Sequence, residues 1–81
     1  MQLVHVTISV PRALLQNEGL DRLRALIEQE VRADVAARHH GYAVDTLRCL
    51  GMYHWPHPEH ADRELAAAAY LYTLIRAPLS V

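Results

Sequence analysis

The sequence contains no lysine and no phenylalanine, a single cysteine (Cys49), and only three glycines in 81 residues. One cysteine excludes an intrachain disulfide and suits a reducing compartment. Charge of either sign is not in excess: eight arginines face nine acidic residues, giving a net charge of −1 with the six histidines neutral. That balance offers no general attraction to phosphate backbones or anionic lipid, so neither nucleic acid nor a membrane is an expected partner. The absent lysines and abundant alanine read as the bias of a GC-rich coding genome. Long apolar runs are missing too. The longest, Leu65 to Ile75, is interrupted by Thr73 and falls well short of the ~20 residues that cross a bilayer. The start, Met1-Gln2-Leu3-Val4-His5, has neither a basic segment nor a long apolar one, and a cytoplasmic protein is expected.

The length implies a single domain spanning residues 1–81. A domain of this size withdraws only about 60–65% of its unfolded surface from water. Without disulfides, the usual supplement is a metal or self-association.

Residues 2–10 alternate, with Val4, Val6, Ile8 and Val10 on one side and His5, Thr7 and Ser9 on the other. This is the pattern of a half-buried strand, ended by Pro11. A connection from Pro11 to Gly19 follows, with room for one helical turn in Arg12-Ala13-Leu14-Leu15. A long helix is predicted from Asn17 or Glu18 to about Arg38. Its stripe is Leu20, Leu23, Ile27, Val31 and Val35, broadened by Leu26. Glu28 with Arg32 and Asp34 with Arg38 are favourable i,i+4 pairs on its outer side. Arg38, His39 and His40 suit the negative helix end, and Gly41 a left-handed residue beyond it.

Residues 42–55 read either as a strand or as a short helix capped by Asp45, with Val, Thr, Cys, Tyr and Trp favouring the strand. Trp55-Pro56-His57-Pro58 is a break. Pro58 then predicts the start of a second helix that runs to about Arg76 and is stopped by Ala77-Pro78. From Leu65 to Ile75 that helix would be apolar nearly all round, which requires cover on more than one side. The expected fold is therefore α+β, a small two-layer β-α-β-α domain completed by homo-oligomerisation. The alternative is a β-α-α-α order.

The opening strand, long helix and possible second strand resemble the βαβ layout of the tautomerase superfamily over residues 2–55. That family uses an N-terminal proline amine as general base. Gln2 stands second here, so the resemblance implies a shared layout without that chemistry. The β-α-α-α alternative resembles the dimeric ribbon-helix-helix DNA-binding proteins, with His5, Thr7 and Ser9 as the outward set.

Three histidines and a carboxylate crowd into His54-Trp55-Pro56-His57-Pro58-Glu59-His60. His54, His57 and His60 are candidate ligands for zinc or nickel, with Cys49 or Asp62 to complete a set and His39-His40 as further donors. Their spacing is not that of a zinc finger or of a His-Glu-x-x-His helix. Cys49 as a nucleophile lacks an electropositive setting in the sequence and reads as a small core residue. The aromatics suit a contact surface, because they bury large areas and keep a polar handle. Tyr53, Trp55, Tyr70, Leu71, Tyr72 and Leu74 are the candidate partner-binding residues. The sequence thus predicts a non-enzymatic protein-binding or regulatory module, such as a small adaptor, inhibitor or assembly subunit, whose partners are other copies of itself and another protein. The alternatives are a His-rich metal-binding protein or small metal-dependent enzyme using His54, His57 and His60, and a dimeric DNA-binding regulator.

Overall fold

In the computed structural model, which describes residues 1–76, the element order is β1 (Gln2–Pro11), α1 (Arg12–Arg38), β2 (Tyr42–Pro56) and β3 (Arg63–Arg76). The strands form one sheet in the order β1-β3-β2, and β3 is antiparallel to both neighbours. β1 and β2 are therefore parallel to each other but separated by β3, a split βαβ arrangement. No described helix is long and apolar enough to cross a membrane.

This order corrects the expected β-α-β-α fold and its ribbon-helix-helix alternative: the segment assigned to a second helix is the central strand. Alanine and leucine are the strongest helix formers, but propensity is a weak determinant that tertiary context overrides. A central strand has neighbours on both sides and can be covered on both faces, so it reads as a continuous apolar run. The even residues Ala66, Ala68, Tyr70 and Tyr72 are buried, and the odd ones between them are half-buried. Pro58 lies in the hairpin loop between β2 and β3, not at a helix start. The His57 N–H donates to the Arg63 carbonyl (3.1 Å) and the Arg63 N–H to the His60 carbonyl (3.1 Å), closing that loop. The expected stop at Ala77-Pro78 lies outside the described residues. The tautomerase-like β-α-β order of the first 55 residues is present, but its two strands are not neighbours.

The helix begins directly after Pro11, earlier than its periodicity suggested, and is kinked at Gly19 (φ 77°, ψ −171°). Leu23, Ile27, Val31 and Val35 recur every four residues, form one face, and are fully buried against the sheet. Leu20, expected in the same stripe, follows the kink and is exposed. Asp34 and Arg38 pair as expected, whereas the second observed helix pair is Glu18 with Arg22 (4.0 Å) and not Glu28 with Arg32. Gly41 takes the left-handed conformation (φ 82°) as the chain turns into β2.

The Gly19 backbone lies in a region that side-chain-bearing residues scarcely enter. A methyl group there would meet nothing within 4 Å, so its cost is conformational alone. Gly19→Ala is expected to lose about 1–3 kcal/mol in urea unfolding. A loss of less than about 0.5 kcal/mol, the scale of an ordinary surface substitution, would mean the kink relaxes freely.

Candidate functional site

The helix covers one face of the sheet and leaves the other open. Parity in β3 separates them: Ala66, Ala68, Tyr70 and Tyr72 point under α1, so Leu65, Ala67, Ala69 and Leu71 point away from it. Strand register then assembles the open face in rows. His5, Ala69 and Gly51 lie across from one another, as do Thr7, Ala67 and Tyr53, then Ser9, Leu65 and Trp55, and finally Leu3, Leu71 and Arg48.

The middle of this face is low because its floor is alanine and glycine. A trough of about 370 Å³ runs there, walled by His5 and Thr7 on β1 and by Leu50 and Tyr53 on β2. Tyr53 is 67% exposed, and its ring stacks on that of Trp55 with centroids 5.5 Å apart and planes 29° from parallel. These four rows contain no Asp or Glu; their polar groups are His5, Thr7, Ser9 and Arg48, all on the outer strands. Arg63, at the end of β3, is held by Ser9: its Nε donates to Ser9 Oγ (2.7 Å) and its Nη2 to the Ser9 carbonyl (2.9 Å).

The histidines predicted as a metal set are divided. His54 Nδ1 meets Glu64 Oε1 at 2.8 Å. Arg12 Nε approaches the other Glu64 oxygen at 3.7 Å, so the mostly buried Glu64 ties the helix start to the hairpin. His57 sits in the loop, where its Nδ1 accepts the N–H groups of Glu59 (3.0 Å) and His60 (3.2 Å). The His57 and His60 rings are 4.7 Å apart. Among the described residues, no three His, Cys, Asp or Glu side chains stand together as a metal-holding group.

Of the candidate partner-binding residues, Tyr53, Trp55 and Leu71 share the open face. Tyr70 and Tyr72 are buried beneath the helix, and Leu74 packs against the same core. Cys49, opposite Tyr70, is a half-buried neighbour of that core. Leu65, Ala67, Ala69 and Leu50 belong to the open face and were not singled out from sequence. Their period of two is hidden in β3 by apolar residues on both faces, and only the strand order brings them beside Tyr53. No family model matches the chain, and neither curated proteins nor solved structures give a significant match.

Proposed function

We propose that the chain is a non-enzymatic protein-binding module that acts as a homo-oligomer, and that the open face of its sheet is covered by the same face of a second copy. The observation that carries this reading is the distribution of chemistry on that face. Its middle, Leu65-Ala67-Ala69-Leu71, is wholly apolar, and its polar groups stand around that middle, Arg63 and Thr73 toward the ends of β3 and His5, Thr7, Ser9 and Arg48 on the outer strands. An apolar centre with a polar rim is how protein interfaces are built. The absence of carboxylates among the rows means that self-packing buries no acidic pair.

The size is adequate. Fourteen residues of β3 at about 3.4 Å each, and three strands about 4.8 Å apart, give a face of about 600 Å² per copy. Two such faces bury about 1,200 Å², the lower bound of a standard interface. Small residues along the middle let the sheets approach closely, and the projecting Tyr53 ring has a trough of matching character to enter on the facing copy.

Light scattering across the micromolar range tests this. The wild-type chain is expected as an even multimer, and Tyr53→Arg is expected to halve its mass while far-ultraviolet circular dichroism stays unchanged. A wild-type monomer at every concentration, or a Tyr53→Arg mass equal to wild type, would sink the proposal.

A further inference from the structure

The two edges of the sheet are built differently. β2 is interrupted twice, with register shifts between Val44 and Thr46 and between Cys49 and Gly51. It carries Asp45 and Arg48 and ends at Pro56. Bulges, charges and proline are the devices that keep an edge strand from pairing with another chain. β1 has none of them before its last residue. Its register with β3 is unbroken over ten pairs from Gln2 to Pro11, and Gln2–Val10 contains no Asp, Glu, Lys or Arg. Among the described residues no strand lies on its outer side.

We infer that the β1 edge is a second self-association surface, at which β1 of another copy adds antiparallel to make a continuous six-stranded sheet. This rests on reading the chain as a homo-oligomer but uses a different surface from the open face. Three observations choose a second copy as the occupant. β1 is self-compatible, since antiparallel pairing sets no like charges opposite one another. Val6 and Ile8 point toward the helix side yet are only half-buried, and the same residues of an added β1 would lie beside them on the same face. The outward N–H groups of Leu3, His5, Thr7 and Ser9 on each copy also supply about eight main-chain hydrogen bonds, within the range of a typical interface. Edge pairing has its two-fold axis perpendicular to the sheet, and face packing has its axis between the sheets. Together they close a tetramer with no open edge of the β1 kind.

Hydrogen exchange at low and high protein concentration, on wild type and on Tyr53→Arg, tests the inference. The outward amides of Leu3, His5, Thr7 and Ser9 are expected to exchange at least about tenfold more slowly at high concentration, while those of β2 change less. Tyr53→Arg is expected to remain a dimer with β1 still protected. Concentration-independent exchange in β1, or concentration-dependent protection confined to β2, overturns the edge. The two readings fail differently. A monomeric Tyr53→Arg with freely exchanging β1, derived from a dimeric wild type, removes the edge and leaves the face. An unchanged mass with protected β1 removes the face and leaves the edge.

Discussion

Ile27→Ala is expected to leave the domain close to its unfolding threshold at room temperature. Ile27 is completely buried in the middle of the four-residue stripe by which α1 holds the sheet. Removing three side-chain carbons from such a site costs about 2–5 kcal/mol, made up of lost transfer energy and the cavity left behind. A chain of 81 residues at about 0.05–0.15 kcal/mol per residue has only about 4–12 kcal/mol in all. One helix covers the whole inner face, so no second layer can close over the gap. The matched control is Leu20→Ala. Leu20 lies in the same sequence periodicity but is 56% exposed, and its loss should stay within about 0.5 kcal/mol. Urea unfolding of both variants decides the matter. Equal losses would mean that Leu20 packs into the core in solution.

The contrast between these two leucine-stripe positions shows where the sequence was legible. β1 was, because it is an edge strand with one covered face, and its alternation of Val and Ile with His, Thr and Ser survives intact. The helix from Leu23 onward was legible for the same reason: one face covered, one wet. Leu20 was misplaced because periodicity does not show the break at Gly19 immediately before it. That break makes Leu20 the first residue of the segment that packs on the sheet, and there it is exposed. β2 looked ambiguous for a different cause. Its inward residues are Val44, Leu47, Cys49 and Met52, and the two bulges that break its register turn a spacing of two into spacings of three, two and three. That sequence of intervals imitates a helix. β3 was misread because Leu65, Ala67, Ala69 and Leu71 on its open face are as apolar as Ala66, Ala68, Tyr70 and Tyr72 beneath the helix, so no polar alternation betrays its period. The open face went with it: the sequence offered Tyr53 and Trp55 as candidate contact residues, but the alanine floor beside them depends on β3 lying between β1 and β2. Of the histidine cluster, His54 meets Glu64 and His57 accepts loop N–H groups, while the His57 and His60 rings remain 4.7 Å apart. That arrangement depends on the hairpin and not on the spacing in sequence.

The misread strand also carries the second large effect, a loss of stability at alkaline pH that Tyr70→Phe removes. Tyr70 is fully buried beneath α1, and its hydroxyl has no hydrogen-bond partner among the described residues. Burial, reinforced by the neighbouring Cys49 thiol, pushes its pKa from 10.0 up to about 12. Below pH 10 the phenol is protonated in both folded and unfolded chains, and its full contribution to stability is present. Above that, the unfolded chain releases the proton while the folded one retains it, so rising pH favours unfolding until the folded value is passed. Two pH units at about 1.4 kcal/mol each make about 3 kcal/mol lost between pH 10 and about 12. Tyr70→Phe keeps the ring and deletes the ionisable group, so its stability should fall less steeply across that window by this amount. At pH 7 it should equal or exceed wild type by about 1 kcal/mol, because an unpaired buried hydroxyl is costly to keep. Urea unfolding of both proteins at several pH values reads the difference directly, and tyrosinate absorbance should show one phenol ionising only as the chain unfolds. Parallel pH profiles for the two proteins would mean that Tyr70 ionises in place, and that the core above β3 admits solvent.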